Sequence, residues 1–531
     1  MKKLKILMII VPLIFLYSSC GDGFLNKVDN TSINSGSFYQ SEADAIASVN
    51  AVYAPLQNIS LWGRRIHFML DFSADEVDPT GNTQGPPVEL LLHTFGPSGN
   101  EHIDFPWFMF YRTIAKANIT IRNVGVMTDE QVSSGIKNRV IGEAKFLRGM
   151  CYYYVGVLWN GGPLKLAEDD TDLAISTPKS DKVALLGQAI KDFTFAKAAL
   201  PATHEASDVG RATSGAAASL LGKVYLEMGN MASAETEFMS VINSGPYYLM
   251  GGDNDPAGTA ATVEEAIAAM RMNHDFAVKN IGETIFEVQF SDQFGGLSWS
   301  STSETGRREA TIRPHEYGVD GSSFYNCKPS QDPTNQNVGT PLAAEFEGNG
   351  GTDIGDRDPR IEAFFFTEND TIGTRGPYID IFNTSGYAWK KYQSSEFVSS
   401  FANDCNHDVI RFADVILCAA EAKIRNSKVG EGVDLINIIR RRADPTGTIL
   451  PDVTAASVDD AMEALMHERR IELCGEQVRR IDLVRWHLAG LITITDYIPK
   501  FQVNKNEYFP IPQSEIDANE SMENSDQNPG Y

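Results

Sequence analysis

Residues 214–242 read SGAAASLLGKVYLEMGNMASAETEFMSVI, and this stretch decides the fold. Its small and aromatic residues stand at the spacing of a tetratricopeptide repeat, namely Leu221, Gly222, Tyr225, Gly229, Ala234 and Phe238. Gly222 lets two helices approach closely, Gly229 opens the turn between them, and Phe238 fills the space from the second helix. A helix pair of this kind cannot bury its apolar faces alone. We therefore expect several such pairs to stack along the chain.

Helical periodicity recurs on both sides of this pair. Apolar residues repeat at helix spacing in earlier stretches, residues 43–59, 107–126, 132–158 and 183–200. The third stretch stops at residues 160–163, NGGP, which is a strong helix terminator. A looser copy of the repeat runs over residues 412–439. The sequence thus predicts helical repeats mainly over residues 43–245 and 408–486.

The middle of the chain has a different composition. Residues 246–407 are rich in glycine, proline, asparagine, aspartate and aromatics, with short strand-like runs such as TIFEVQF at residues 284–290. The tail, residues 487–531, is irregular as well. Loops on a rigid scaffold often carry binding residues. We predict a mainly α fold of the α+β class, a single domain over residues 42–531. In it, a tetratricopeptide-like scaffold of helix pairs carries a loop-rich, partly β ligand-binding half.

The amino terminus has the layout of a secretory signal peptide. Three lysines precede an apolar run of 12 residues, Ile6 to Tyr17, and small residues then lead to Cys20. The run is shorter than the roughly 20 residues needed to cross a bilayer. We predict a signal peptide over residues 1–19, lipidation of Cys20 and a lipidated tether over residues 20–41. Acyl chains would then hold the protein at a bacterial membrane.

Composition narrows the function. The chain of 531 residues has a formal net charge of −25, and such a surface repels phosphate backbones, which argues against nucleic acid as a partner. Six cysteines at irregular spacing do not form a disulfide framework, although Cys327 and Cys405 lie in loop-like stretches and could pair. No Cys-x-x-Cys occurs, so the sequence signals neither a zinc site nor a redox pair.

Longer motifs occur in order along the chain after the signal peptide. They are CGDGFL at 20–25, Trp107 with Tyr111, Ile114 and Asn118, EAKFLRGMCYYY at 143–154, RFADVIL at 411–417, HERRIEL at 467–473, FPIP at 509–512 and QNPGY at 527–531. In these motifs and in their order the chain resembles the SusD/RagB family of surface lipoproteins from Bacteroidota.

The resemblance implies a fold and a role. The fold would be helix-pair repeats that brace a loop-rich, partly β half. The role would be to capture an oligosaccharide or polysaccharide, less often a peptide, at the cell outer membrane and to deliver it to a SusC-like TonB-dependent transporter. The family implies no catalytic activity and no cofactor. Charged residues of the motifs are expected to form ion pairs and caps inside the scaffold, namely Arg148, Glu421, Arg469, Arg470, Glu472 and Arg480.

The implied sugar ligand points to particular side chains. Sugar binding uses flat apolar groups against pyranose rings, with polar side chains on the hydroxyls. We therefore expect ligand contacts at tryptophans in polar segments, namely Trp299, Trp62 and Trp389. The polar candidates beside the second of these are Asp71, Asp75 and Arg65, with Arg64. The remaining tryptophans lie on helical stripes or at a helix end and are expected in the core, namely Trp107, Trp159 and Trp486.

Other classes of function stay open. A glycoside hydrolase would need two opposed carboxylates, and the acidic cluster at residues 71–78 does not by itself show opposition. A pure protein-binding scaffold or adhesin would use the helix repeats alone. The His467-Glu468 pair lacks the second histidine of a zinc protease, because Ile471 takes its place. Acidic residues from Asp253 onward are spaced either as a calcium loop or as a polar Asx turn.

Overall fold

The computed structural model describes most of the chain after the amino terminus. Its described residues are 38–79, 83, 85–166, 176–244, 246–275, 278–291, 310–311, 313, 336–346, 357–367, 370–371, 385–392 and 404–531. Cys20, Trp299 and Cys327 lie outside these residues, so the predictions made for them stay predictions. Among the helices of the described ranges, none combines the length and the apolar character needed to span a bilayer.

α-Helices dominate the described residues. In chain order they are α1 (Glu42–Tyr53), α2 (Arg65–Asp71), α3 (Pro86–Leu92), α4 (Glu101–Gly125), α5 (Ser134–Trp159), α6 (Lys182–Ala199), α7 (Ser214–Glu227), α8 (Met231–Ile242), α9 (Val263–Asn273), α10 (Thr340–Phe346), α11 (Arg360–Phe364), α12 (Phe412–Arg425), α13 (Val429–Ala443), α14 (Val458–Glu472), α15 (Arg479–Leu488) and α16 (Gln513–Ala518).

The strands are short and pair in twos. They are β1 (Val77–Pro79), β2 (Gly161–Pro163), β3 (Lys179–Asp181), β4 (Thr284–Val288), β5 (Gln336–Val338), β6 (Phe365–Phe366), β7 (Ala388–Trp389) and β8 (His407–Arg411). Each pair is antiparallel: β1 with β5, β2 with β3, β4 with β8, and β6 with β7. The predicted combination of a mainly helical fold with a minor β component is confirmed.

Local sequence explains where several helices begin and end. Ser41 and Ser457 each close a capping box at the start of α1 and α14. The hydroxyl of Thr213 accepts from the backbone N–H of Ala216 at 3.1 Å and caps α7. At the end of α5, Asn160 takes the left-handed conformation with φ 58°, and Gly161 follows with φ 124°. The predicted terminator therefore ends the helix where expected.

The helices stack in a continuous series. α5 packs between α4 and α6, α6 against α7, and α7 against α8. Within the pair α7–α8, a Cβ added to Gly222 would lie 2.6 Å from the ring of Phe238, so only glycine allows this approach. The tetratricopeptide-like packing predicted from residues 214–242 is present.

The series continues across a long gap in the sequence. α8 packs on α12, which in turn packs on α13 and α14. At this junction Glu235 of α8 accepts from Lys423 at 3.2 Å and from Lys428 at 2.7 Å. The segment between α8 and α12 therefore leaves the scaffold and returns to it at neighbouring places.

A buried ionic network joins this returning segment to the scaffold. Glu472, at the end of α14, accepts from Arg411 at 2.9 Å and also pairs with Arg442 and with Arg360. Burial alone would raise the pKa of Glu472, but these guanidinium charges outweigh it and lower the pKa to about 2. Arg411 also pairs with Glu283 at 2.9 Å. Three arginines from separate segments thus pair with one carboxylate.

The charged motif residues are mostly paired inside the scaffold, as expected. Arg148 binds both oxygens of Asp192 at 2.8 and 2.7 Å. Arg480 is different, because it donates to the backbone carbonyl oxygens of Ser73 at 3.2 Å and Asn506 at 2.6 Å. Burial lowers the pKa of Arg480 to about 10. Its role is to hold the carboxyl-terminal segment rather than to form an ion pair.

The carboxyl-terminal segment is irregular but firmly attached. The side-chain amide of Asn528 donates to the carbonyl oxygens of Trp159 at 2.8 Å and of Phe509 at 2.7 Å. The ring of Tyr531 stacks on Phe95, with centroids 6.0 Å apart. The QNPGY motif therefore ties the end of the chain to the end of α5.

Candidate functional site

The turn after α1 carries the first predicted ligand residue. A 3-10 turn runs over Ala54–Gln57 with Pro55 near its start, and the carbonyl oxygen of Asn58 then accepts from the N–H groups of Leu61 at 2.8 Å and Gly63 at 3.0 Å. This tight turn drives Trp62 inward, where 1% of it is exposed and its ring packs edge-on against Phe110. The expectation that Trp62 offers a flat face to a sugar is therefore corrected.

The second predicted tryptophan that the structure describes is also in the core. Trp389 lies on β7 with 0% exposure and packs against Phe365 of β6. A Cβ on Gly475 would lie 2.8 Å from the Trp389 ring, so the backbone closes over that ring. Trp389 has no face available to a ligand. Trp299 is the remaining tryptophan candidate, and the structure leaves that prediction untested.

The two predicted aspartates anchor the segment after α2. Asp71 is 1% exposed and accepts twice from the amide of Gln477, at 3.1 and 3.0 Å. Asp75 pairs with Arg479 at 2.8 Å and with Arg470 at 2.8 Å. Burial would raise the pKa of Asp75, but the two guanidinium charges lower it below its usual value. Both aspartates attach this segment to α14 and α15, which corrects their assignment as ligand contacts.

Arg65 leads to an accessible surface. Its guanidinium is buried but pairs with Glu101, whose side chain is 39% exposed. The same guanidinium lies over the ring of Phe105, 4.9 Å from the centroid. The predicted direct contact of Arg65 with a ligand is corrected, because the side chain supports its neighbours from below. We name this region the Glu101 surface, formed by Arg64, Arg65, Glu101, Asp104 and Phe105.

The start of α4 builds the Glu101 surface. Asn100 caps the helix by accepting from the N–H of His102 at 3.1 Å, and Glu101, Asp104 and Phe105 follow in the first turn. Asp104 and Phe105 are partly exposed. Burial raises the pKa of Asp104 to about 6, and this effect outweighs a backbone hydrogen bond from Gly99 that lowers the pKa. The surface therefore combines a carboxylate, a carboxyl group that titrates near neutrality and an aromatic ring.

The Glu101 surface lies where the scaffold meets the loop-rich region. The carbonyl oxygen of Gly63, next to Arg64, accepts from the hydroxyl of Thr311 at 3.1 Å. Two residues further on, Arg313 donates to Gly475 at 2.9 Å and contacts His407 at 2.9 Å. The first contact fixes residue 311 beside the turn that carries Arg64, and the other two attach residue 313 to β8 and to the loop after α14.

The chemistry of the Glu101 surface suits a polyol. The guanidinium of Arg64 can donate to a hydroxyl, the carboxylate of Glu101 can accept from one, and the ring of Phe105 can pack against the apolar face of a sugar. Glu101 and Asp104 lie three residues apart on one helix turn, so they do not oppose each other across a ring as hydrolysis requires. Sequence reasoning missed these residues, although they directly precede the Trp107 motif that it used.

Other predicted chemistries find structural uses. Asp255 accepts from the N–H groups of Gly251 at 2.6 Å and Ala257 at 2.8 Å, which is an Asx turn. His467 contacts Glu345 at 2.8 Å. Across the ranges that the structure describes, no three histidine, cysteine, aspartate or glutamate side chains group as metal ligands.

Comparison with known families covers both halves of the scaffold. A model of the SusD family matches residues 282–505, and a second, described as starch-binding associating with outer membrane, matches residues 97–226. The chain belongs to the SusD/RagB family. The second match contains three residues of the Glu101 surface, Glu101, Asp104 and Phe105, with α4 to α6 and nearly all of α7, and the first contains β4 to β8 and α12 to α15. Both helix stacks are thus SusD-like.

Curated SusD-like relatives match at full or nearly full length. A SusD-like protein of Formosa agariphila is 27% identical, with 100% of both chains covered. A SusD-like protein of Bacteroides ovatus is 24% identical and covers 90% of this chain and 82% of its own.

Solved structures share the SusD fold. A SusD superfamily protein from Bacteroides vulgatus superposes with a TM-score of 0.73 at 23% identity, covering 93% of this chain and 100% of its own. A protein described as a laminarin binding SusD-like protein gives a TM-score of 0.70 at 23% identity, with the same coverage.

Proposed function

We propose that this SusD-family protein captures an oligosaccharide or polysaccharide outside the cell and passes it to a SusC-like TonB-dependent transporter in the outer membrane. The observation that carries this proposal is the match of SusD-family models to residues 97–226 and 282–505. The laminarin-binding description of one solved neighbour is in line with a glycan ligand. Capture is non-covalent, and the protein has no catalytic activity of its own.

The Glu101 surface is the proposed glycan contact on the scaffold. Phe105 supplies a ring held from below by Arg65, and Glu101 and Asp104 supply hydrogen-bond acceptors. Trp299, in the polar sequence FGGLSWS, is proposed as a second aromatic contact. Stacking and hydrogen bonds to hydroxyls give modest affinity, which permits release into the transporter.

Lipidation of Cys20 is the proposed means of attachment. Replacing Cys20 with serine removes the thiol that would carry the acyl chains. We expect the variant to leave the outer-membrane fraction and to lose metabolic labelling with palmitate. Unchanged fractionation and labelling would contradict this part of the proposal.

Calorimetry against plant, algal, host and microbial oligosaccharides tests glycan capture. The chain lacking residues 1–20 is titrated as wild type, Phe105→Ala and Trp299→Ala. Phe195→Ala is the matched control, because that ring is 37% exposed on α6, away from the Glu101 surface. A sugar that binds wild type and control but at least tenfold more weakly to Phe105→Ala supports both ligand class and site.

The same titrations separate the alternatives. Sugar binding that is unchanged in Phe105→Ala but lost in Trp299→Ala would support glycan capture. It would place the binding site at Trp299 and not at the Glu101 surface. Binding of peptides with no sugar binding replaces the glycan by a peptide ligand. Copurification with a TonB-dependent transporter, without binding of sugar or peptide, would leave a protein-binding scaffold.

A further inference from the structure

Arg64 is the more accessible of the two arginines in the Glu101 surface. Its side chain is 15% exposed, whereas that of Arg65 is 2% exposed. The Arg64 guanidinium lies over the buried ring of Phe68, 4.7 Å from the centroid. Arg64 Nη1 is 4.0 Å from Glu101 Oε1, a distance that allows attraction between the charges but is too long for a hydrogen bond. The exposed part of this guanidinium can therefore donate to hydroxyls of a sugar.

A tight turn directly precedes Arg64. The carbonyl oxygen of Asn58 accepts from the N–H of Gly63 at 3.0 Å and closes this turn. A Cβ added to Gly63 would lie 2.8 Å from backbone atoms of Ile59, so the turn leaves no room for a side chain there. The orientation of the peptide group between Gly63 and Arg64 therefore decides where the Arg64 side chain leaves the backbone.

A residue of the loop-rich region holds this peptide group. The hydroxyl of Thr311 donates to the carbonyl oxygen of Gly63 at 3.1 Å, and Thr311 is 1% exposed. The same hydroxyl oxygen accepts from the backbone N–H of Arg313 at 3.1 Å. Because the contact is buried, water cannot readily replace the hydroxyl, so its loss would cost free energy.

Thr311 is in turn fixed by the residue two positions later. The buried guanidinium of Arg313 donates to the carbonyl oxygen of Gly475 at 2.9 Å and to Gln477 at 3.0 Å, and it lies over the ring of Tyr392, 3.4 Å from the centroid. Tyr392 and Gln477 have left-handed backbone conformations, with φ 64° and 62°. Such conformations are costly for residues other than glycine and persist where the surroundings hold them. Thr311 is therefore attached to a well-determined part of the molecule.

We propose that Thr311 is a positioning residue for glycan binding. Through the carbonyl oxygen of Gly63, it orients Arg64 towards the hydroxyls of a sugar on the Glu101 surface. This inference rests on the proposed function of that surface. The part of the ligand concerned is a pair of neighbouring hydroxyls, because a planar guanidinium offers parallel N–H donors. The buried Thr311 shapes the site from behind and does not touch the ligand.

Calorimetry tests the proposal on the chain lacking residues 1–20. The probes are the oligosaccharide panel of the proposed function, including maltohexaose, laminarihexaose, cellohexaose, mannohexaose and xylohexaose. For a sugar that binds wild type, Arg64→Ala should weaken binding about tenfold, the loss expected for one hydrogen bond to a charged group. Thr311→Val removes the hydroxyl and should weaken binding about fivefold. Thr311→Ser restores the hydroxyl and should bind within about twofold of wild type.

The double variant Arg64→Ala/Thr311→Val separates positioning from a general structural effect. If Thr311 acts through Arg64, Thr311→Val should change affinity by less than about twofold once Arg64 is alanine. Thr113→Val is the matched control, because the buried hydroxyl of Thr113 also donates to a backbone carbonyl oxygen, that of Met109, at 2.9 Å. It should bind as wild type does. Thermal melts check that each variant is folded, and Thr311→Ala replaces Thr311→Val if the latter is unfolded.

Three outcomes would overturn the proposal. The first is an equal loss of affinity from Thr311→Val in the wild-type and Arg64→Ala backgrounds. The second is a failure of Thr311→Ser to restore binding. The third is sugar binding that Arg64→Ala leaves unchanged, and in all three cases the proposed function stands. If no sugar of the panel binds wild type, the proposed function fails and this inference fails with it.

Discussion

Glu287 on β4 lies directly opposite Asp408 on β8 in the antiparallel register. Like charges at opposed positions destabilise a sheet. Burial, and then the charges of Glu287 and Glu476, raise the pKa of Asp408 well above its usual value. Burial also raises the pKa of Glu287. This pair therefore destabilises the folded protein at neutral pH. It lies where the loop-rich segment returns to the scaffold.

Asp408→Asn should stabilise the protein at pH 7 by about 1 kcal/mol. A carboxyl whose pKa is raised in the folded state favours folding while it is protonated and opposes folding as pH rises through that pKa. The gain should therefore be largest at neutral pH and should vanish below about pH 4, where Asp408 is protonated in both states. Urea unfolding of both proteins across this range measures the difference. An equal gain at all pH values would contradict the charge mechanism.

Glu472→Gln should lower the free energy of unfolding by about 3–5 kcal/mol, because it breaks a buried network and leaves Arg411 and Arg442 short of charge. Glu431→Gln is the control, since Glu431 pairs with Lys423 at 2.6 Å but is 60% exposed. It should cost under about 1 kcal/mol. The lowered pKa of Glu472, about 2, gives stability that is complete above pH 4.5 and lost as pH falls towards 2. The free energies of unfolding of wild type and Glu472→Gln, measured by chemical denaturation, should therefore converge in acid.

Gly222→Ala should destabilise the protein by about 1–3 kcal/mol, because the new Cβ would lie 2.6 Å from the Phe238 ring. Gly187→Ala is the matched helix substitution, and its Cβ would meet nothing within 4 Å. It should stabilise by up to about 1 kcal/mol through helix propensity. Thermal melts of the two variants should move in opposite directions. Similar shifts would show that the close approach of α7 and α8 is not required.

Asn528→Ala should cost about 1–3 kcal/mol, because two buried carbonyl oxygens, those of Trp159 and Phe509, lose their shared donor. The exposed Asn524 provides a control on the same segment. Limited proteolysis should release the carboxyl-terminal segment of Asn528→Ala faster than that of Asn524→Ala. Equal rates would mean that the QNPGY motif does not anchor the tail.

Glycan affinity should fall as the pH drops through about 6, if Asp104 accepts hydrogen bonds from hydroxyls in its ionised form. The raised pKa of Asp104, about 6, places this change close to neutrality. Asp104→Asn should remove the pH dependence between pH 5 and 7, and Asp517→Asn, an exposed site on α16, should leave it intact. Titrations at both pH values provide the measurement. If the pH dependence of glycan affinity persists in Asp104→Asn, a group other than Asp104 causes it.

Helices could be predicted from sequence because their signals are local. The spacing of Gly222 and Phe238 and the stop at residues 160–163 act within a few turns of chain, and both appear in the structure as expected. The helix boundaries were predicted less well: the predicted helix over residues 43–59 ends at Tyr53, where a 3-10 turn that contains Pro55 follows over Ala54–Gln57. The packing of α8 on α12 had no local signal at all.

The candidate site shows where local reasoning stopped. Trp62 and Trp389 were predicted to contact a ligand because each stands in a polar segment, and these segments include Arg64, Arg65, Lys390 and Lys391. Most of those charges are themselves buried: Lys391 is 0% exposed and donates to Glu476 at 2.8 Å, and Arg65 pairs with Glu101. Polar residues next to a tryptophan in the sequence indicate that the tryptophan is exposed only when those polar residues are themselves hydrated. Here the partners come from distant segments.

The sequence by itself determined the helix pairs, their caps and stops, and the family, since these depend on residue spacing along one chain. Tertiary structure alone decided which charged and aromatic side chains are accessible, because that depends on segments far apart in sequence. Asp71 lies against Gln477, and Asp75 lies against Arg479. Glu101 and Phe105 became candidates because Arg65 supports them from another helix. Burial of charge is a property of the packed pair, and the sequence shows its members one at a time.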